Sequence, residues 1–194
     1  MLPKALFKCT TLMGKTGEIV NRPIKRAKFL EHFANRTPCM IGIEACGGSQ
    51  HWARQLTKLG HAVKLMPAEF VKAFYIRNKN DAADARAIWM AVQQPSKDVA
   101  IKTEAQQAVL ALHRMRQQLV KFRTMRINSL RGLLTEYGEV MGRGWAALDK
   151  AIPAVLAEIS DRLPIVLIDT LREQWDGLTK LDEQITVIER RLRQ

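Results

Sequence analysis

The chain has little of what would place it outside a reducing cytoplasm. Its 194 residues contain three cysteines, Cys9, Cys39 and Cys46, an odd number without Cys-x-x-Cys spacing. That pattern fits a reduced cytosolic protein better than a disulfide framework. No apolar run approaches the ~18 residues needed to span a bilayer. Met1-Leu-Pro-Lys-Ala-Leu-Phe-Lys8 lacks the apolar core of a secretion signal. A soluble cytoplasmic protein with no membrane partner is expected. Acidic residues are also scarce: none precedes Glu18, and none lies between Glu104 and Glu136. Internal repeats and low-complexity tracts are absent.

What is present is positive charge on an otherwise ordinary globular composition. The net charge is +12 and the hydrophobic content 47%, so the chain can build a core and carries a field that attracts polyanions, nucleic acid first. The charge is uneven. Residues 1–100 hold 16 Lys and Arg against 7 acids, residues 101–150 hold 9 against 4, and residues 151–194 hold 6 against 8. The basic surface belongs to the first three-quarters.

Residues 5–13 read as a strand, Gly14-Lys-Thr-Gly17 as a turn and Glu18–Ile24 as a returning strand, with Pro23 placing its end at a sheet edge. Residues 25–35 predict a short basic helix. Pro38–Ala45 is a nearly continuous apolar run, the signature of a central strand covered on both faces. Residues 49–59 predict a helix with Ser49 as its N-cap and Gly60 beyond its C-terminus. His61–Met66 is a strand, Pro67 opens a helix to about Tyr75, Arg77–Asn80 is a linker, and Asn80 or Asp81 caps a helix to Gln94. This order predicts a mixed sheet with packed helices, an α/β layer domain over about residues 1–100.

From Glu104 apolar residues recur at helical spacing to Tyr137, predicting a coiled-coil-like arm. Arg114, Arg116, Lys121, Arg123, Arg126 and Arg131 lie on it with no acid among them, so phosphate binding is expected there. Lys25, Arg26 and Lys28 form a weaker patch. Gly138, Gly142 and Gly144 break the helix. Pro153–Leu163 and Pro164–Trp175 predict two short helices, and Leu178–Arg193 a returning arm whose stripe Leu181, Ile185, Ile188, Leu192 is a dimer seam or an intramolecular one. The chain stops at Gln194 inside that helix, and a fragment truncated at its C-terminus is expected.

The chemistry centres on three carboxylates. Glu44 ends the strand Ile41-Gly-Ile-Glu44, ahead of the small-residue turn Ala45-Cys-Gly-Gly48. Asp81 and Asp84 in Lys79-Asn-Asp-Ala-Ala-Asp-Ala-Arg86 stand three apart, which makes them neighbours on one helical face. Oxygen-only ligands of this kind suit Mg²⁺ or Mn²⁺. Taken singly, Glu44 ending a strand in solvent and Asp81 capping a helix are ordinary structural roles. Other constellations carry less: Cys46 with His51 has nothing to place thiol against imidazole, Cys9, Cys39, Cys46 and His51 lack the paired spacing of a zinc site, and Gly14-Lys15-Thr16 lacks the upstream glycine of a phosphate-binding loop.

At Gly42-Ile-Glu-Ala-Cys-Gly-Gly48 and Asn78-Lys-Asn-Asp-Ala-Ala-Asp-Ala-Arg86 the chain resembles the N-terminal part of the DEDD-type insertion-sequence transposases, the bridge-RNA-guided recombinases. Phe33-Ala-Asn35, Gly60–Met66, Phe70-Val-Lys72, Leu110–Arg114 and Leu130–Leu134 resemble further blocks in family order, so the likeness covers nearly the whole chain. The resemblance implies an RNase H-like (RuvC-like) domain at residues 1–100, followed by a helical coiled-coil arm at 101–194. It implies Glu44, Asp81 and Asp84 as catalytic metal ligands for Mg²⁺ or Mn²⁺. DNA and a structured guide RNA are the implied partners, with a homo-oligomer formed through the arm. Two features depart from the family. Met1–Ala5 replaces the block that carries the tetrad's first aspartate on the opening strand, and the domain bearing a nucleophilic serine is not in the sequence. The expected function is therefore the metal-binding part of a DNA transposase that cleaves and transfers strands. The alternative is a catalytically inactive nucleic-acid-binding and oligomerisation module.

Overall fold

A computed structural model describes residues 6–12, 19–74, 81–95 and 98–194, with side chains for 22–74, 84–95 and 98–194. The chain divides into two compact units, Met1–Thr103 and Glu104–Gln194. No helix among the described residues is long and apolar enough to cross a membrane.

The first unit is α/β. Strand β1 (Leu6–Leu12) pairs antiparallel with β2 (Ile19–Lys25), Leu6 opposite Lys25 and Leu12 opposite Ile19. The expected turn at 14–17 lies outside the described residues. A 3₁₀ turn (Arg26–Lys28) leads into helix α1 (Phe29–Ala34), so the basic segment is two short pieces where one helix was expected. Strand β3 (Met40–Glu44) runs parallel to β4 (Ala62–Met66), with Glu44 opposite Met66, and helix α2 (Ser49–Lys58) makes the crossover. Val99 bridges Leu65 on the other edge of β4. Helix α3 (Ala68–Lys72) follows, then α4 (Asp81–Gln93).

The strands form two separate pairs among the described residues, where one mixed sheet was expected. Residues 41–44 of β3 are consequently only half-buried. Its apolar run reads as a strand covered on both faces, but the β1–β2 pair does not hydrogen-bond to it. The α2 N-cap is also one residue earlier than expected. Gly48 occupies it at φ +86°, and Ser49 turns its Oγ back to donate to the Cys46 carbonyl at 2.8 Å. Glycine suits that left-handed position. Gly60, at φ +89°, ends α2 as anticipated.

Alternation along the strands assigns the two faces of the β3–β4 pair. Ile41, Ile43 and Val63 pack with Phe29, Phe33, Leu56 and Ile24 on one side. The other side meets α4, whose Ala87, Ala91 and Val92 join Met66 and Val71 in a second core. Segment 98–102 is tied to α2. Lys102 N–H donates to Gln50 Oε1 at 2.7 Å, and Arg54 donates to the Lys102 carbonyl at 2.9 Å.

The second unit is helical: α5 (Glu104–Thr135), α6 (Trp145–Ile159) and α7 (Ile165–Leu192). Its core joins Leu130 and Leu134 of α5, Leu148, Ile152 and Ile159 of α6, and Ile168, Leu171 and Leu178 of α7. Trp145 stacks on Trp175 at 5.3 Å. Two boundaries differ from expectation. Pro153 lies inside α6 rather than opening a helix, because Leu148, Ile152, Leu156 and Ile159 give that helix one continuous buried stripe. Helix α7 runs through Gly177, where two helices were expected. An internal glycine costs about 1 kcal/mol, and burial of Leu171, Leu178, Leu181 and Ile185 along the same helix outweighs it.

Candidate metal and nucleic-acid sites

The position of Glu44 follows from Gly42. A Cβ built on Gly42 would lie 2.4 Å from Val92 Cγ2 and 3.2 Å from Ile88 Cγ2, so β3 and α4 touch almost backbone to side chain there. Two residues on, Glu44 belongs to the same α4-facing side of the strand. It is the last residue of β3, and the chain turns away immediately, with Cys46 N–H donating to the Glu44 carbonyl at 2.9 Å. On α4, Asp84, Ile88 and Val92 recur every four residues and therefore share one face. Glu44 and Asp84 thus sit on facing surfaces of two packed elements. Asp81 is the first residue of α4, three before Asp84, and its side chain lies outside the described ones.

Among the described residues neither Asp84 Oδ1 nor the Glu44 carboxylate has a partner. Asp84 Oδ1 is sealed from solvent with no hydrogen bond, and Glu44 makes no hydrogen bond or ion pair among the described residues. A buried acceptor left unpaired costs about 1–3 kcal/mol. Among the described residues no Lys or Arg side chain pairs with it. An orphaned carboxylate oxygen facing a second unpaired carboxylate is a donor set that suits a hard divalent cation. Among the described residues no three His, Cys, Asp or Glu side chains are gathered as a metal cluster, and that set omits the Asp81 side chain. It also does not gather Cys39, Cys46 and His51.

One pairing was not legible in the sequence. His61, 97% buried by its 3% exposure, accepts the Cys39 backbone N–H at Nδ1 (3.2 Å), and its Nε2 faces the Phe33 carbonyl at 3.1 Å. The first bond makes Nε2 the protonated nitrogen. The 22-residue separation gives no local signal. His61 pins α1 to the start of β3, a structural role.

The six cations of α5 divide by partner. Arg116 donates from Nε to Glu189 Oε1 at 2.8 Å, and Arg123 pairs with Asp182. Arg131 donates to the carbonyls of Gly142 and Gly144, holding the loop before α6. Arg114, Lys121 and Arg126 are exposed and make no ion pair among the described residues. In the first unit Arg26 lies over the Trp52 ring at 4.9 Å and Lys28 pairs with Glu31 at 2.7 Å. Lys25 lines a shallow groove of about 460 Å³ with Arg22 and His32. Burial, then the positive charges of Arg36 and Arg22, lower the pKa of His32 below its usual 6.5.

The α/β unit thus sets Glu44 at a strand end and Asp84 on the helix that packs against it, and helix α5 of the second unit carries its cations without an acid between Glu104 and Glu136. The profile of a family described as "Transposase", the DEDD transposases of IS110 type, matches residues 9–139. The chain belongs to this family of DEDD insertion-sequence transposases. It is 40% identical over 193 residues to a probable family 20 transposase of Pseudomonas aeruginosa, covering 98% of this chain and 57% of that one. It is 37% identical over 186 residues to the transposase for insertion sequence element IS1328 of Yersinia enterocolitica, covering 95% and 54%. With the transposase for element IS1111A of Coxiella burnetii the identity is 37% over 176 residues, covering 90% and 48%. The chain spans about half the length of these curated relatives.

Proposed function

We propose that this chain is the metal-binding part of a DNA transposase, an RNase H-like (RuvC-like) domain with a coiled-coil arm, acting in strand cleavage and transfer during insertion-sequence movement. The observation that carries the reading is the orphaned Oδ1 of Asp84, opposite a β3 strand whose last residue is Glu44. Glu44, Asp81 and Asp84 would hold Mg²⁺ or Mn²⁺. Such an ion, when bound, polarises a phosphate and lowers the pKa of the attacking oxygen. The residues of this chain fix the ligands. The contact at Gly42 sets the depth of α4 against β3, and among the described residues no cation pairs with Asp84 Oδ1 or Glu44. Arg114, Lys121 and Arg126 would bind the phosphates of DNA or of a structured guide RNA. The helical unit would join copies into an oligomer.

Calorimetric titration of Mg²⁺ and Mn²⁺ into this chain and into Asp81→Ala/Asp84→Ala tests the reading. Binding to the first and none to the second supports it, and no binding to either overturns the metal assignment. A second reading, a nucleic-acid-binding and oligomerising module without catalysis, is favoured by one observation. Residues 1–17, which include β1, contain no acid that could join Glu44, Asp81 and Asp84 from that strand. Salt-dependent nucleic-acid binding without metal binding would select it.

A further inference from the structure

Residues 98–102 form a strap at the root of α5, whose first residue is Glu104. One side of the strap meets β4, where Val99 N–H donates to the Leu65 carbonyl at 2.8 Å. In an extended chain the peptide groups of successive residues point to opposite sides, so those of Ala100 and Lys102 face away from β4. There α2 takes them up. Gln50 Nε2 donates to the Ala100 carbonyl at 3.2 Å, and Gln50 Oε1 accepts the Lys102 N–H at 2.7 Å. Arg54, one turn further along α2, donates to the Lys102 carbonyl at 2.9 Å. A carbonyl and the N–H two residues on are the two groups that one residue of a parallel strand would pair with. The Gln50 amide therefore stands in for one residue of a strand opposite Ile101.

Two features separate this strap from the elements around it. Its contact with β4 is an isolated bridge, not a ladder, and none of its residues is fully buried. Releasing it exposes little apolar surface, whereas Ala53 and Leu56 of α2 and Leu65 of β4 are fully buried. Segments with few buried apolar contacts open locally at low free energy while the rest of the fold stays closed. The strap is therefore held chiefly by hydrogen bonds, and two side chains of α2 supply them on one whole side.

We infer that Gln50 and Arg54 are the catch of a releasable strap: closed, they fix the root of α5 to α2, and open, they leave α5 on a flexible tether. The catch sits on the helix that follows the turn after Glu44, and the strap leads into the helix that carries Arg114, Lys121 and Arg126. The carboxylate-bearing unit is thus joined to the basic helix by a segment with two states. The catch needs no metal, so its test and the metal titration succeed or fail separately.

Trypsin cleavage of the full chain after Lys102 tests this, because cleavage of a transiently opened segment follows the population of the open form. The variants are Gln50→Glu, which sets a carboxylate oxygen against the Ala100 carbonyl, Arg54→Ala, and Thr57→Ala as a control on the same helix. Hydrogen exchange is followed at the Val99 and Lys102 amides of the strap and at the Leu56 and Leu65 amides outside it. The expected result is slow cleavage of the unaltered protein and of Thr57→Ala. Gln50→Glu and Arg54→Ala should each be cleaved roughly tenfold faster, with faster exchange at Val99 and Lys102 and unchanged protection at Leu56 and Leu65. Cleavage unchanged in both variants would overturn the catch, and cleavage unchanged in one would remove that residue from it. Equal acceleration in Thr57→Ala, or cleavage of the unaltered protein at the rate of an unstructured peptide, would overturn it as well. Variants that lose Leu56 and Leu65 protection together with the strap would overturn its release as a separate step, making it part of the cooperative fold of the first unit.

Discussion

Gly42→Ala is expected to loosen the joint between β3 and α4, and the structure sets both its sign and its size. On backbone entropy alone a strand Gly→Ala change stabilises, by about 0.4–1 kcal/mol where the conformation allows. Here the new methyl would lie 2.4 Å from Val92 Cγ2, where carbon atoms prefer roughly 3.5–4.0 Å. Something must move by more than about 1 Å, and overpacking of this kind costs about 1–3 kcal/mol. The clash outweighs the entropy gain, so net destabilisation is expected. Val92→Ala removes the obstructing Cγ2 and costs about 1–2 kcal/mol alone, from lost burial and a small cavity. In the double variant the next neighbours are Ile88 Cγ2 at 3.2 Å and Val92 Cβ at 3.6 Å, a tight but tolerable fit. The two changes should therefore be non-additive, with a coupling of about 1–3 kcal/mol in the favourable direction. Hydrogen-exchange mass spectrometry of the β3 and α4 amides, alongside urea unfolding, reads this out. Metal titration adds a functional measure, since pushing α4 away from β3 separates Asp84 from Glu44 and should weaken binding in the single variant. Unchanged stability in Gly42→Ala, or strict additivity in the double, would refute the packing argument.

Three further outcomes follow from the same geometry. Asp84→Ala removes an unpaired buried oxygen and should leave the metal-free chain as stable as before or more so. A chain with intact carboxylates should gain about 2.7 kcal/mol at Mg²⁺ one hundred times its Kd, seen as a rise in Tm that the variant lacks; an equal rise in both would remove Asp84 from the site. On α5, Arg114→Ala and Lys121→Ala should each lower the slope of log affinity against log salt by about 1 in nucleic-acid binding. Arg116→Ala and Arg123→Ala should instead lower helical stability, and the reverse assignment would contradict the ion pairs. His32 should titrate below 6.5 by proton NMR. Because its folded pKa is lowered, the unfolded chain binds the proton more readily. Its contribution to stability is present above about pH 6.5 and lost as the pH falls below it. An anion bound beside Arg22 and Arg36 would offset the lowering, so added oligonucleotide should raise the titration point. A value unmoved by oligonucleotide would exclude phosphate binding beside this histidine.

Much of the local structure was legible because it is written in local pattern. The spacing of Leu119, Ile127, Leu130 and Leu134 predicts one long helix, and α5 spans 32 residues. Ile41-Gly-Ile-Glu44 predicts a strand ending on a carboxylate, and Asp81 and Asp84 predict a helix start; each element is found there. At Pro153 and Gly177 a local signal was overruled by tertiary burial. Pro153 and Gly177 look like breaks until the buried stripes of α6 and α7 run through them. Residues Pro38–Ala45 read as a covered strand, but which strands pair is a long-range property. The roles of Arg116 and Arg123 were likewise invisible. Their partners stand 73 and 59 residues away, and only the antiparallel register of α5 and α7 reveals them.

That register separates two uses of one charge type along a single helix. Arg116 and Arg123 recur at an interval of seven, and so do Glu189 and Asp182, so each helical repeat contributes one cross-helix pair on the same edge of the seam. With side-chain exposures of 39% and 33% in one pair and 25% and 27% in the other, both are partly shielded from solvent. They anchor α7 more firmly than freely exposed pairs would. Arg114 and Lys121 recur at the same interval on a different face, where α7 offers no acid. A polyanion approaching α5 therefore meets cations whose binding breaks no existing ion pair. Under the proposed function, phosphate bound to Arg114 and Lys121 would leave the contacts that hold the helix's own fold in place.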